Sequence, residues 1–325
     1  MNRSAGRVTL GLVAVVSAAA LAVSVFIPRS SSQATGPVST WGDIMIAGGL
    51  SSTAALSSID LYDPAANVFA VSTPSMNTAR SFAAAVQLTI GPNAGRVLII
   101  GGSDPVANAL KTTELYDPAS DTFASAGSTA VMNTARYNHT ATVIPSGPNA
   151  GKVLVVGGFD NFGSIFLAST ELYDPVSNSF AAPGATATMS VGRVSHTATT
   201  ITFGPNGGKI LIAGGITTGQ VAQSSTELYD PVANTFGAGP SMTTARYEHT
   251  ATLISTGPDA GKILIAGGNP DSTNTTDEYD PVANSFSAGP EMNAGRATQT
   301  ASQIAVGPNA GGILMAGGDN SGVVA

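Results

Sequence analysis

Residues 226–268 read TELYDPVANTFGAGPSMTTARYEHTATLISTGPDAGKILIAGG and hold one complete structural unit. The segment 246–254 is rich in threonine and partly alternating, which is the pattern of a half-buried strand. The turn at 257–261 closes a hairpin, because Pro presets φ and the Asp and Gly residues tolerate positive φ. The apolar run at 263–266 does not alternate, so it predicts a strand that is buried on both faces.

The beginning of the same stretch supplies two more strands. Residues 226–229 have the Thr-Glu-Leu-Tyr pattern of a third strand, and Phe236 marks a short fourth strand after the Asp-Pro turn at 230–234. No helical periodicity lies between these segments. Four short strands in a unit without helices predict a small antiparallel sheet of the kind found in a β-propeller blade.

The unit recurs along the chain with its markers in a constant order. Gly-Gly pairs begin at 48, 101, 157, 214, 267 and 317; Tyr-Asp-Pro begins at 62, 116, 173, 229 and 279; an arginine stands at 80, 136, 193, 246 and 296; and a Gly-Pro turn begins at 91, 147, 204, 257 and 307. Self-similarity at a period of this length is the signature of a repeat architecture.

A double glycine after a strand, a spaced tyrosine and a later aromatic residue resemble the kelch-repeat family. In one unit these residues are Gly157-Gly158, Tyr173 and Phe180, and equivalents run through residues 42–318. The resemblance implies an all-β kelch-type β-propeller of four-stranded blades. The family's usual late tryptophan is replaced here by phenylalanine, at 69, 123, 180, 236 and 286. Phenylalanine suits the same apolar position, so the expected fold is unchanged.

The repeats leave the number of blades open at five or six positions. The first repeat starts near its second strand at 43–47, and the last stops after its second strand at 313–316. If the strand near 296–305 completes the first blade, the ring closes with five blades. The resemblance implies this kind of closure, because the family usually closes its ring by a strand exchange. If the ends do not pair, six positions remain, with incomplete first and last repeats. A shortened chain would look the same, and open strand edges would invite association.

Composition excludes several kinds of protein. The chain has 325 residues, 43% of them apolar, which is enough for a large core. It contains no cysteine, which excludes disulfide scaffolds, zinc ribbons, iron–sulfur sites and cysteine nucleophiles. Its net charge of −7 excludes nucleic acid as a partner bound through a basic patch.

Residues 1–34 predict a signal peptide or an N-terminal membrane anchor. Arg3 and Arg7 precede an apolar run at 8–27. The length of the run matches a membrane span, whereas its Ala, Ser and Gly content and the small residues around Ala34 suit a cleaved signal. Either alternative places the rest of the chain outside the cytoplasm, secreted or attached to the cell membrane through 8–27. Residues 35–41 predict a linker, and 42–325 the propeller.

Each repeat carries one arginine and one acid, the acid two residues before the tyrosine. The acids are Asp60, Glu114, Glu171, Glu227 and Asp277. Matched cations and anions predict charge pairs that build the blades. The alternative is a ring of arginines that binds an anion at the mouth of a central channel.

His139, His196 and His249 lie three residues after the arginine in consecutive units. They could converge on a metal, but residues 83 and 299 at the equivalent places are Ala and Gln, so we expect structural histidines and no metal site. Resemblance to galactose oxidase-like propellers would imply a copper site with a cysteine-crosslinked tyrosine. That cofactor cannot form without cysteine, and we expect no cofactor and no catalytic residue.

The best candidate for ligand binding is the connection at 159–168. It holds three of the aromatic residues outside the repeat pattern, next to polar side chains. Variable loops on a rigid scaffold are common binding sites, and we also include Lys111, the one cation of the predicted propeller outside both repeat patterns. The candidate site residues are Phe159, Asp160, Asn161, Phe162, Phe166 and Lys111. Two hypotheses remain for this loop: an exposed platform for a sugar or peptide, or a plug that packs on itself.

These observations predict an exported, non-catalytic kelch propeller that binds a protein or a glycan at the cell surface through its variable loops. The alternative is an extracellular carbohydrate-active enzyme of the same superfamily, without the copper cofactor.

Overall fold

The computed structural model describes residues 23–27, 43–51, 54–63, 68–69, 74–162, 164–303, 311–320 and 323–324. These residues form strands, bridges and turns, and no helix. Within these ranges there is thus no helix that is long and apolar enough to cross a membrane. The predicted all-β class is confirmed.

The described strands form six sheets along the chain, and five of these sheets have four strands. The first contains Val23–Ile27, Asp43–Ala47, Ile59–Asp63 and Val68–Phe69; the second Ala84–Gln87, Val97–Ile100, Thr113–Asp117 and Thr122–Phe123; the third Thr140–Val143, Val153–Val156, Thr170–Asp174 and Ser179–Phe180. The fourth contains Thr197–Thr200, Ile210–Ala213, Thr226–Asp230 and Thr235–Ala238; the fifth Thr250–Leu253, Ile263–Ala266, Thr276–Asp280 and Ser285–Ala288; the sixth Thr300–Gln303 and Ile313–Ala316.

Neighbouring strands in each sheet are antiparallel and follow chain order. In the fifth sheet Thr250 pairs with Ala266, Ile263 with Tyr279, and Tyr279 in turn with Phe286. The first strands of consecutive sheets contact one another from the first sheet to the sixth. The four-strand unit predicted from the sequence is therefore the observed one. Three small hairpins are additional: Phe159–Asp160 with Ile165–Phe166, Ile216–Thr217 with Val221–Ala222, and Asp319–Asn320 with Val323–Val324.

The second strand of each complete repeat is the centre of the core. All four residues of Ile210–Ala213 are at most 1% exposed, as the apolar run predicted. The tyrosine of the third strand packs between sheets: Tyr229 contacts a cluster from the third sheet that includes Ile144, Leu154 and Leu172. The Tyr229 hydroxyl donates a hydrogen bond of 3.1 Å to Oδ1 of Asn234, and the Tyr279 hydroxyl of the next repeat donates one of 3.0 Å to Oδ1 of Asn284. The tyrosine of one sheet thus packs into the core between that sheet and the preceding one.

The Gly-Gly pairs allow neighbouring sheets to approach closely. Gly157 has φ of +64°, and a Cβ there would lie 2.6 Å from the carbonyl oxygen of Arg193. A residue with a side chain would meet both the left-handed strain and the backbone of the next unit. The glycine therefore positions the arginine of the following repeat.

The Gly-Pro turns and the Asp-Pro turns lie on the same face. A Cβ on Gly147, in the Gly-Pro turn of the third sheet, would lie 2.9 Å from the carbonyl oxygen of Pro231, in the Asp-Pro turn of the fourth. At the other face, the backbone pairing between the first and second strands continues into the connection after Gly-Gly. In the third sheet, Tyr137 and Phe159 form an antiparallel β-bridge there. The uniform turns and the variable connections therefore lie on opposite faces.

The first sheet extends beyond the predicted start of the propeller at residue 42. Val23–Ile27 pairs antiparallel with Asp43–Ala47, from Val23 opposite Ala47 to Ile27 opposite Asp43. This strand belongs to the C-terminal end of the predicted export segment, and it satisfies backbone groups that would otherwise form an open edge. Residues 1–22 and 28–42, including the cleavage site and the linker, lie outside the described residues, so the export segment stays a prediction.

Candidate functional site

The loop at 159–168 rests on a packed base. The rings of Phe159 and Phe166 are in edge-to-face contact across the hairpin, with their centroids 5.1 Å apart. The ring centroid of Tyr137 lies 5.6 Å from that of Phe159, and the ring centroid of Phe82 lies 5.9 Å from that of Tyr137. Four aromatic rings thus run from the preceding sheet into the loop. Edge-to-face and tilted contacts of this kind stabilise beyond the area they bury, so Phe159 and Phe166 hold the loop in place.

The polar residues of the loop also act within it. Asn161 accepts a hydrogen bond of 2.7 Å from the Ala109 backbone N–H and donates one of 2.7 Å to the Ala107 carbonyl. These bonds fasten the loop to the connection of the preceding sheet. Asp160 accepts a hydrogen bond of 3.0 Å from the Phe162 N–H and so shapes the turn. Both side chains therefore help to hold the loop in its conformation.

The tip of the loop is different, because its apolar side chains face solvent. Phe162 is 72% exposed and Ile165 is 51% exposed. The neighbouring connections repeat this feature, with Val106 76% exposed and Val221 53% exposed. Three consecutive repeats therefore have exposed apolar side chains at the tips of their connections on the variable face. We call these four residues the apolar tips: Val106, Phe162, Ile165 and Val221.

The structure thus separates the candidate residues into two groups. Phe159, Asp160, Asn161 and Phe166 form the base of the loop, whereas Phe162 is exposed at its tip. Lys111 is exposed, and no hydrogen bond or ion pair joins its side chain to the loop among the described residues. Sequence reasoning missed Val106 and Val221, whose only signal is their place after a Gly-Gly pair.

The repeated arginines form buried ion pairs within their own sheets. The pairs are Arg80–Glu114 at 2.7 Å, Arg136–Glu171 at 2.9 Å, Arg193–Glu227 at 3.0 Å and Arg246–Asp277 at 2.7 Å, and each of the four arginines is at most 1% exposed. The predicted charge pairs are confirmed at these four places. A guanidinium enclosed in this way cannot bind an anion at a channel mouth.

Each pair belongs to a larger network. Arg136 also donates to the carbonyls of Gly157 and Ser169, at 2.8 and 3.1 Å. Glu171 accepts from the backbone N–H groups of Asn133 and Thr134 at 2.7 and 2.9 Å. Burial lowers the pKa of Arg136, and the attraction of the Glu171 carboxylate opposes this shift. The network therefore holds the loop before the first strand against the third strand of the same sheet.

The histidines lie one per sheet and are buried. Nε2 of His196 lies 3.0 Å from Oγ1 of Thr140, and Nε2 of His249 lies 3.0 Å from Oγ1 of Thr197. Each ring thus contacts the first strand of the preceding sheet. For His139 the equivalent position is Ala84, and its Nε2 has no hydrogen-bond partner in the described part of the chain. The same part contains no group of three metal-ligating side chains arranged around one point.

Burial controls the charge of these rings. Desolvation, reinforced by the nearby arginine of the same repeat, lowers the pKa of His139 and of His249 to about 3. It lowers the pKa of His196 as well. The imidazoles are therefore neutral at physiological pH and serve to pack the first strands together.

Comparison with known proteins finds a family motif in one of the repeats. The family model of the Kelch motif matches residues 135–181, a segment that runs from beside Arg136 to just beyond Phe180 and includes the third sheet. No curated protein matches the chain. The matched segment carries a Kelch motif, and the repetition of its four-stranded antiparallel sheet is consistent with the blades of a kelch β-propeller.

We expect Arg193→Ala to lower the free energy of unfolding by about 3–5 kcal/mol, because it leaves the Glu227 carboxylate buried without its cation. Urea unfolding of the full chain measures this loss. Lys209→Ala is the matched control, since Lys209 makes a half-exposed pair with Asp230 at 3.6 Å. The control should cost about 1 kcal/mol or less. Equal effects of the two substitutions would contradict a structural role for the buried pairs.

We expect stability to fall as pH drops below about 6.5, in part because each buried histidine is neutral in the folded chain and protonates in the unfolded chain. In the folded chain the pKa of His249 is about 3, so this residue contributes to the pH dependence of stability between about pH 6.5 and pH 3. His249→Gln should reduce the slope of the unfolding free energy between pH 6.5 and 5 by about 1 kcal/mol per pH unit on average, approaching about 1.4 near pH 5, where the unfolded imidazole is almost fully protonated. Glutamine fits this place, since Gln299 occupies it in the last repeat. An unchanged slope would show that His249 protonates in the folded state.

Proposed function

We propose that this protein is an exported, non-catalytic scaffold that binds a partner protein through the variable face of its kelch repeats. Kelch domains generally mediate protein interactions. The observation that carries the proposal is the row of apolar tips on three consecutive repeats. Exposed apolar side chains on a rigid frame are typical of surfaces that bind other macromolecules.

The two faces differ in a way that supports this assignment. On the uniform face the same Gly-Pro and Asp-Pro turns recur and contact each other between neighbouring sheets. On the variable face the connections after Gly-Gly differ in length and composition, and their bases are fastened by side-chain contacts such as those of Asn161. Because the base of such a connection is already held in place, its exposed tip loses little conformational entropy when a partner binds.

The groups that could perform catalysis are largely committed to structure. Four repeat arginines are enclosed in ion pairs, and the three histidines are buried and neutral. Arg96, Lys152 and Lys209 pair with Asp117, Asp174 and Asp230 beside the uniform turns. This distribution favours binding over the carbohydrate-active enzyme considered as the alternative.

Export is the second half of the proposal and rests on the sequence of residues 1–34. Two arginines before an apolar run predict translocation of the downstream chain, and the absence of cysteine is compatible with any redox compartment. We propose that the kelch repeats act outside the cytoplasm. Because Val23–Ile27 pairs with Asp43–Ala47 in the first sheet, a membrane span over all of residues 8–27 or a cleavage after Ala34 would take this strand away from the sheet.

The double substitution Val106→Ser and Phe162→Ser should abolish capture of a partner without unfolding the chain. Both side chains are exposed, so their replacement should change stability by no more than about 0.5 kcal/mol. Immobilised full chain is incubated with cell-envelope proteins, and the captured protein is quantified for the variant and the parent. Val176→Ser, an exposed apolar residue (61%) of a uniform turn, is the control.

We expect at least tenfold less capture by the double variant and unchanged capture by the control. Equal capture by both would exclude the apolar tips as the site. A glycan array, run in parallel, separates the two ligand classes: retention of a glycan without any captured protein would replace the protein partner with a glycan.

We expect the full chain to leave the cytoplasm of a bacterial host, and Val15→Arg with Leu21→Arg to retain it there by interrupting the apolar run. Gln33→Lys, outside the run, is the control. Fractionation locates each protein, and the intact mass of the exported form identifies its first residue: residue 35 for a cleaved signal, residue 1 for an anchor. A parent chain that stays in the cytoplasm would contradict export.

A further inference from the structure

Two of the apolar tips, Val106 and Phe162, lie on connections that are joined to each other. Asn161 accepts a hydrogen bond of 2.7 Å from the Ala109 N–H and donates one of 2.7 Å to the Ala107 carbonyl. The residues next to the two tips are therefore in contact. The connections of the second and third sheets thus form one surface, and we call Val106 and Phe162 the paired tips.

Each of the paired tips has an aspartate two residues before it. Asp104 accepts a hydrogen bond of 3.0 Å from the Val106 N–H, and Asp160 accepts one of 3.0 Å from the Phe162 N–H. Both carboxylates are thus held close to an exposed apolar side chain. The connection that contains Val221, at 216–225, has no acid. The combination of an acid and an apolar tip is therefore confined to the paired tips among the three repeats.

Asp160 lies on the outer face of its hairpin. Successive residues of a strand point to opposite faces, and the contacting rings of Phe159 and Phe166 occupy one of them. Asp160 pairs with Ile165 across the hairpin, so these two side chains share the other face. Ile165 is 51% exposed there. Oδ2 of Asp160 has no hydrogen-bond partner in the ranges that the structure describes.

No cation neutralises the two carboxylates. None of the ion pairs between described residues includes Asp104 or Asp160. Asp160 attracts Arg136, but burial lowers the pKa of this arginine, and its guanidinium is already paired with Glu171 at 2.9 Å. Burial acts to raise the pKa of Asp104, but the hydrogen bonds that the carboxylate accepts outweigh it and lower that pKa. Asp104 is therefore ionised at neutral pH.

Lys111 is the one cation in the sequence of these two connections, at 103–112 and 159–169. It lies five positions after Val106, where the connection reaches the third strand, and its carbonyl accepts a hydrogen bond of 2.9 Å from the Met132 N–H. The surface at the paired tips thus combines apolar side chains with two negative charges.

A ligand that matches this surface needs an apolar stem and a positively charged group that donates hydrogen bonds. Arginine has both, because its planar guanidinium can stack on an aromatic ring while its N–H groups bind a carboxylate. The ammonium group of lysine is compact and strongly hydrated, so it suits this combination less well. The ring of Phe162, 72% exposed and two residues from Asp160, provides the aromatic surface.

We propose that the paired tips bind an arginine-bearing segment of the partner protein. The guanidinium of one arginine stacks on Phe162 and donates hydrogen bonds to Asp160, and a second basic side chain of the segment pairs with Asp104. Apolar residues of the segment pack on Val106 and Ile165. The inference rests on the proposed partner-binding function and adds the chemistry of the partner, which is basic and apolar at this contact.

The probe is the fluorescein-labelled peptide GLRGRLG, with versions that carry citrulline, lysine or glutamic acid in place of both arginines. Citrulline keeps the planar shape of the arginine side chain and removes its charge. Fluorescence anisotropy measures the binding of each peptide to the full chain. We expect saturable binding of the arginine peptide, about fivefold weaker binding of the citrulline peptide and no binding of the glutamic acid peptide. The lysine peptide should bind more weakly than the arginine peptide.

Two variants of the chain test the named contacts. Asp104→Asn with Asp160→Asn keeps a side-chain oxygen for each tip N–H and removes both charges, so the arginine and citrulline peptides should then bind equally. Phe162→Leu keeps an apolar tip without a ring, and the arginine and lysine peptides should then bind equally. Urea unfolding at an unchanged midpoint verifies that each variant is folded.

Asp271→Asn is the matched control. Asp271 is an exposed acid in the connection of the fifth sheet, and its φ of +67° lies in a region that asparagine adopts readily. This variant loses one charge from the same face and should keep the preference for arginine over citrulline. Lys111→Gln should bind the arginine peptide at least as tightly as the parent chain does, since it removes a repelling charge.

The proposal would be overturned if the arginine peptide showed no saturable binding, or if the parent chain bound the arginine and citrulline peptides equally. A preference for arginine that persists without Asp104 and Asp160 would also overturn it. The capture experiment with the Val106→Ser, Phe162→Ser chain separates this inference from the proposed function. Capture that depends on the tips, without binding of the arginine peptide, keeps the partner site and rejects its basic ligand. Binding of the peptide as expected, with capture that does not depend on the tips, keeps the arginine site and rejects the proposed function.

Discussion

The buried ion pair between the repeat arginine and the acid of the third strand is the contact that holds each repeat in its shape. It joins the loop that enters a sheet to that sheet's third strand, and it is linked to the Gly-Gly carbonyl of the second strand. An enclosed pair of charges tolerates little displacement, since a charge left alone in the interior is costly. One pair in each of four consecutive sheets therefore fixes how loop, second strand and third strand meet.

This constraint decides which polar side chains remain available at the surface. Arginine and histidine are often used to bind anions or to move protons, yet four repeat arginines and the three histidines are enclosed in the sheets here. A neutral imidazole, held beside a threonine of the preceding sheet, packs the first strands and does not exchange protons at physiological pH. At the apolar tips of the variable face, by contrast, the side chains of Val106, Phe162, Ile165 and Val221 are exposed.

The same repetition relates the sixth sheet to the others. Its two described strands follow the pattern of the complete sheets. The first sheet begins with Val23–Ile27, which has no threonine, whereas four of the other five sheets begin with a strand that contains threonine. The first strand of a sheet is thus less uniform in sequence than the third.

The repeated unit could be predicted from the sequence, because each of its signals is local. The non-alternating run at 263–266, the Gly-Pro turn and the spacing of Arg, Gly-Gly and Tyr each follow from backbone preferences and periodicity, and the structure reproduces them. The arginine–acid pairing was also predictable, since both members recur in step. The exposure of individual loop residues, in contrast, is set by tertiary packing. Phe159 and Phe162 are three positions apart and equally apolar, yet one packs against Tyr137 and the other faces solvent. That difference, like the exposure of Val106, depends on which residues of a neighbouring repeat lie opposite, and no local sequence pattern records it.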